Sequence, residues 1–197
     1  MARASREQAE KNREAIEQAS SRLFRERGLN GVSVAEVMAD AGLTHGGFYG
    51  HFASKDALAA QAVRRAFEES SQRWERRIDR AHGDRQAMLS NLVAPYLTPE
   101  HCAHPGAGCA AAALASDVAR EPADKPVRQA YLEGFRALVG DIAKTVDLDD
   151  AAVRNKEALV RIALLVGAVT LARATSGDPL SEDILAAARE QLLGTDA

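Results

Sequence analysis

"RLFRERGLNGVSVAEVMADAGLTHGGFYGHFASKDAL", residues 22–58, is the stretch that decides the fold. Gly28 closes a helix, because glycine enters the left-handed conformation of a C′ position without strain. Ser33 opens a second helix, and Glu36, three residues later, completes a capping box. Val34, Val37 and Met38 supply that helix with a buried face. Gly42 permits a tight turn, and Thr44 is placed to cap a third helix over about 44–51. Glycines at 46, 47 and 50 weaken that helix, each costing about 1 kcal/mol against alanine. Phe48 and Phe52, four residues apart, can offset this by packing on the first helix. Ser54 then caps a fourth helix, with Asp56 in the first turn where the dipole favours an anion.

Outward from this stretch the pattern stays helical. Ala9, Ile16, Ala19, Ser20, Leu23 and Phe24 form one apolar stripe, which predicts a first helix over 8–28. The fourth helix continues to about Ala81, and a fifth spans 85–98 with Pro95 near its end. "TPEHCAHPGAGC" reads as a loop from its Pro and Gly content. A sixth helix follows in "AAAALASDVAR", a seventh over 126–146 and an eighth over about 150–176. Ser181 is placed to cap a ninth that ends at Gly194. No strand pattern emerges, so the expected class is all-α with about nine helices. Two short helices joined by a tight glycine turn form a helix-turn-helix, whose second helix enters the major groove of DNA. The expected division is a helix-turn-helix domain at 1–53 and a larger helical domain at 54–197.

The chain has 197 residues and a net charge of −3, which argues against indiscriminate coating of nucleic acid. Within the first thirteen residues Arg3, Arg6, Lys11 and Arg13 outweigh Glu7 and Glu10, a mildly basic arm. No apolar run approaches the roughly 20 residues that span a bilayer, and the start lacks an apolar signal region. With two cysteines only, a cytoplasmic location fits. No nucleophile–base–orienter set, phosphate loop or metal-ligand helix pair is visible, so neither an enzyme nor a cofactor is expected.

The segment resembles the DNA-binding part of the tetracycline-repressor (TetR) family. The residues that carry the resemblance are Phe24, Gly28, Ser33-Val34, Val37, Ala41-Gly42-Leu43-Thr44, Gly47-Phe48-Tyr49-Gly50-His51-Phe52 and Ser54-Lys55-Asp56-Ala57-Leu58. The resemblance covers about residues 10–58; the remainder matches only in helix number and length. It implies a homodimer bound to double-stranded, palindromic operator DNA and released by a small-molecule effector. It also implies DNA contacts from Ser33, Thr44, His45, Gly46, Gly47, Tyr49, His51 and Lys55. Tyr49, His51 and Lys55 take phosphate-contacting positions, and hydroxyls at the helix starts of Ser33 and Thr44 suit a phosphate. Gly46 and Gly47 leave clearance for the duplex. Two departures stand out: His45 replaces a frequent Lys or Arg, and Gly50 replaces a larger side chain. Few direct base contacts are therefore expected, with Arg3 and Arg6 available for the minor groove or backbone.

The eighth helix is apolar nearly all round and is expected to be buried on every side. With the ninth it is expected to form a dimer interface, through Leu164, Ala168, Leu171, Ile184, Ala188 and Leu192. Helices four to seven would enclose a pocket lined by Trp74, Met88, Leu92, Tyr96, Leu114, Val118, Tyr131 and Phe135, suited to a mostly apolar effector. His101, Cys102, His104 and Cys109 fall within nine residues but match no standard zinc spacing, so no metal is expected. A plain polar loop and a thiol sensor built from Cys102 and Cys109 both remain open, as does a helical interaction protein without DNA binding.

Overall fold

Local capping and turn geometry set the ends of the first two helices before any tertiary contact is considered. The computed structural model describes residues 2–194, with side chains from residue 6 onward. Helix α1 (Ala2–Arg27) ends where Gly28 takes a φ of +78° and donates its N–H to the Phe24 carbonyl at 2.9 Å. Helix α2 (Val34–Asp40) carries the full capping box: the Ser33 hydroxyl accepts from the Glu36 N–H at 3.2 Å, and the Glu36 carboxylate accepts from the Ser33 N–H at 2.8 Å. Gly42 turns the chain at a φ of +72°.

The third helix departs from expectation. His45–Gly50 is a 3-10 helix, and Thr44 makes no side-chain capping bond. Three glycines in six residues remove most of the intrinsic preference for an α-helix, and a segment this short settles into the tighter turn. Its place is fixed by packing instead. Phe48 and Phe52 are buried with their rings stacked at 5.9 Å. Arg13 of α1 lies 4.5 Å from the centroid of the Phe52 ring and donates to the His51 carbonyl at 2.8 Å.

Helix α3 (Lys55–Asp79) is capped by Ser54 and runs through the middle of the molecule, against α1 on one side and α7 on the other. Gly134 lets α7 come so close that a Cβ there would collide with the Phe67 ring of α3. Helix α4 (Arg85–Tyr96) keeps Pro95 in its last turn. The stretch expected as a loop contains helix α5 (Pro99–Ala103) and a 3-10 turn (Pro105–Ala107). The Thr98 hydroxyl accepts from the His101 N–H at 3.1 Å, and Pro99 stands at the first helical position, where proline favours a helix rather than breaking it. Helices α6 (Ala110–Arg120), α7 (Pro126–Ala143), α8 (Ala151–Ala174) and α9 (Leu180–Leu193) complete the chain, and no strand occurs among the described residues. Helix α7 stops three residues earlier than its apolar pattern suggests. At the start of α9 Asp178, not Ser181, takes the free N–H of Leu180 at 2.9 Å, while the Ser181 hydroxyl donates to Ala172 of α8 at 2.8 Å.

Helix α8 is not buried on every side within one chain. Ile162, Leu165, Val169 and Ala172 face the core, while Val153, Leu159, Val160 and Leu171 are each more than 40% exposed. Among the described residues no helix is long and apolar enough to cross a membrane.

Removing the Phe48 ring should cost about 3–5 kcal/mol of stability in urea unfolding followed by circular dichroism, because a fully buried ring leaves a cavity. Gly50→Ala, with nothing within 4 Å of the added methyl, should leave the midpoint unchanged or raise it.

Candidate nucleic-acid interface and neighbouring cavity

The buried Phe48 ring holds Tyr49 facing outward. The two rings meet edge-to-face at 5.2 Å, and Tyr49 is 75% exposed. Thr44, His45, Gly46, Gly47 and Gly50 are exposed around it, and His51 and Lys55 are half-buried at its end. The Thr44 hydroxyl, free of any capping bond, is available to a partner. Ser33 is exposed but already occupied: its hydroxyl donates to Glu36 at 2.8 Å. The backbone N–H and hydroxyl of Ser33 hold the Glu36 carboxyl below its ordinary pKa, so a phosphate at Ser33 would meet a carboxylate already seated there. Arg6 is exposed on α1; the side chain of Arg3 lies outside the described residues.

The glycines are not explained by the fold. A Cβ on Gly46 or Gly50 would meet nothing within 4 Å, and one on Gly47 would touch Met38 at an ordinary 3.7 Å. None of the three has a positive φ. Bare backbone at these three positions is left open to solvent.

Arg25 joins this end of the molecule to the remainder. Only 5% exposed, it donates to the Ser21 carbonyl at 3.0 Å, to the Gly108 carbonyl at 3.0 Å and to the Glu69 carboxylate of α3 at 2.9 Å. Burial lowers its pKa, and Glu69 opposes that shift. Close by, the Leu29 N–H just past α1 donates to Asp117 of α6 at 2.9 Å. Gly106 sits so near Glu26 and Arg22 of α1 that a Cβ there would force their side chains to shift.

The residues expected to line one pocket are divided. Trp74 and Tyr96 line a cavity of about 140 Å³ between α3, the end of α4 and the 107–109 segment. Val118, Tyr131 and Phe135 border a separate open hollow of about 660 Å³ beside α6 and α7. Leu92 and Leu114 are closed into the core, and Met88 is half-buried against it. The smaller cavity also carries His101 and two residues given no role above, Arg73 and Arg77. Their signal was the spacing of Ser70, Trp74 and Arg77 on one face of α3, masked because arginine ordinarily reaches solvent.

His101 accepts from the Cys109 N–H through Nε2 at 3.2 Å, so its proton lies on Nδ1, which donates to the Tyr96 carbonyl at 2.6 Å. Burial lowers its pKa below the ordinary 6.5, against the Tyr96 bond and with help from Arg173, Arg73 and Arg77. Cys109 stands at the start of α6, buried, and Cys102 is half-buried with its thiol pKa pushed up by burial; both are free thiols. Among the described residues no three His, Cys, Asp or Glu side chains are grouped to hold a metal ion.

Of the proposed interface residues on the last two helices, Leu171 is exposed and Leu164, Ile184 and Leu192 are half-buried. Ala168 and Ala188 are already buried within the chain.

Residues 16–62 match the family model described as bacterial regulatory proteins, tetR family. No curated protein matches the sequence. Among solved structures, the TetR-family transcriptional regulator of Cytophaga hutchinsonii shares 20% identity over 95% of this chain and 96% of its own, with a TM-score of 0.77. The TetR-family regulator of Agrobacterium tumefaciens shares 20% over 93% and 98%, with a TM-score of 0.75. NemR of E. coli, in its reduced form, shares 22% over 90% and 94%, with a TM-score of 0.71. At these identities the likeness is one of fold.

The pH dependence of stability tests the His101 environment. The unfolded chain takes up this proton at about 6.5 and the folded chain at a lower pH, so the stability is fully present above 6.5 and is lost as pH falls. Between about pH 7.5 and about pH 5.5, His101→Gln should lose less stability than the unmodified chain in urea titrations.

Proposed function

From the assignment of residues 16–62 to the tetR family of bacterial regulatory proteins, we propose that this chain is a ligand-responsive, DNA-binding transcriptional repressor. Residues 1–53 would bind a palindromic operator, and 54–197 would bind the effector and a second copy of the chain. The observation that carries this reading is the Tyr49 side chain, 75% exposed above a buried Phe48 and surrounded by glycines that the fold does not need. Tyr49, His51 and Lys55 serve the phosphates, while Thr44 and His45 are left to read base edges. With Gly46, Gly47 and Gly50 bare, DNA shape supplies further selectivity.

One copy meets one half-site. A palindrome presents the second about 34–36 Å away, and a two-fold dimer spans that distance. The exposed apolar face of α8, from Val153 through Val160 to Leu171, supports pairing with the same face of a second copy. A small, mostly apolar effector would release the operator by binding more tightly to a state in which the two reading turns no longer fit that spacing.

A gel shift against the DNA upstream of the protein's own gene tests the site. Lys55→Ala should weaken binding and lower the salt slope by about 0.9, the signature of one lost phosphate contact. Tyr49→Ala should weaken it as well, and undiminished binding in both variants would overturn the assignment. Introducing charge at Val160→Glu together with Leu171→Glu should leave helicity intact and convert the dimer to a monomer in sedimentation runs; a dimer that persists would place the interface elsewhere.

A further inference from the structure

Arg73 and Arg77 stand one helical turn apart on α3 and face the 140 Å³ cavity together with Trp74, Tyr96 and His101. Neither guanidinium is paired with a carboxylate among the described residues. Arg73 donates to the Ser70 hydroxyl at 3.1 Å and distantly to the Gly108 carbonyl at 3.5 Å. The nearby Glu69 is already engaged by Arg25 and by Arg65. Both side chains are half-buried, and burial lowers the pKa of each, with the charge of Arg25 adding to the shift at Arg73 and those of Arg80 and Arg76 at Arg77. His101 adds no charge, since both its ring nitrogens are engaged in the neutral form.

The second observation is independent of charge. The Tyr96 hydroxyl is buried, in a residue 3% exposed, and has no oxygen or nitrogen hydrogen-bond partner among the described residues; its polar neighbour is the Cys109 thiol, a weak acceptor. A buried hydroxyl without a strong acceptor is costly, because it gives up its bonds to water and gains little in return. Burial and the neighbouring Cys109 raise its pKa well above normal, so it remains a donor. Two guanidinium groups without a carboxylate partner thus line this space, with the rings of Trp74 and Tyr96 and the side of Pro95 as its apolar walls and the Tyr96 hydroxyl buried close behind them.

We propose that this cavity binds a small organic carboxylate, whose oxygens accept from Arg73, Arg77 and the Tyr96 hydroxyl while a single ring or short branched chain lies against Trp74. This rests on the reading of the chain as a ligand-responsive regulator and names the class of its effector: a compact apolar body with one anionic group. The route to the DNA-reading end is short. The Gly108 carbonyl is shared by Arg73 and by Arg25 of α1, and the adjoining turn packs on Glu26 and Arg22. A carboxylate that draws Arg73 toward itself changes what holds Gly108, and with it the seat of α1.

Trp74 is the only tryptophan, so its emission reports occupancy directly. The full chain is titrated with benzoate, with neutral benzamide, with isobutyrate and with inorganic phosphate. A saturable change is expected with benzoate, at least about tenfold weaker with benzamide, and weakened about tenfold by Arg73→Gln and by Tyr96→Phe. Tyr96→Phe keeps the ring, so it decides the question even where Arg73→Gln fails to fold. Equal binding of benzamide, unchanged benzoate affinity in Tyr96→Phe and Arg77→Gln, or saturation by phosphate but by neither carboxylate would each overturn the proposal. A gel shift on the same samples separates the two readings. No carboxylate binding beside Tyr49-dependent DNA binding overturns the cavity proposal and leaves the regulator standing. Arg73-dependent binding that never releases DNA upholds the site and overturns its role as the trigger.

Discussion

The buried guanidinium of Arg25 is the tie on which the two ends of the molecule depend. It belongs to α1, yet its donors reach Ser21 on its own helix, Glu69 on α3 and the carbonyl of Gly108 before α6. A charge taken out of water is tolerated only when its hydrogen bonds are filled and an opposite charge is close, and both conditions are met here. The geometry of α1 relative to α3 is therefore set by a few directional bonds as well as by apolar packing. Gly106, pressed against Glu26 and Arg22, brings the neighbouring turn into the same arrangement.

That tie explains how a locally weak element can be held in a defined place. The glycine-rich turn at 45–50 has little intrinsic order to offer. It is positioned from below by Phe48 and Phe52, and Arg13 of α1 grips its end through the Phe52 ring and the His51 carbonyl. Its outer surface is then free of packing duties. Tyr49 can stand in solvent and the three glycines can stay bare, because the stability of the segment comes from the opposite face. A shift of α1 carries the turn with it, so the connection through Arg25 and Gly108 is also a path along which occupancy of the cavity can reach the exposed tyrosine.

Much of the helical plan was legible in the sequence, and the reasons are local. The Ser33–Glu36 box, the Ser54 cap and the glycines at 28 and 42 act over three or four residues, so their outcome follows from spacing alone. Two local signals misled. Pro99 suggested a break where Thr98 and Pro99 together begin a helix. The third helix tightened into a 3-10 turn because nothing in six residues with three glycines favours the wider form. The apolar circumference of α8 was plain in the sequence, but which of its sides faces the core and which is left open required the positions of α7 and α9.

By itself, then, the sequence determined the all-helical class, the tight turn before the short third helix, and the burial of Phe48 and Phe52 that anchors it, since each follows from groups a few residues apart. The tertiary structure alone decided that Ser33 is already occupied by Glu36, that the expected pocket residues fall into separate places, and that Arg73, Arg77 and Tyr96 line one cavity. The physical reason is distance along the chain. Residues from 70 to 109 meet only after α3, α4 and the turn before α6 have packed, and an arginine or tyrosine in sequence gives no sign of whether water or protein will surround it.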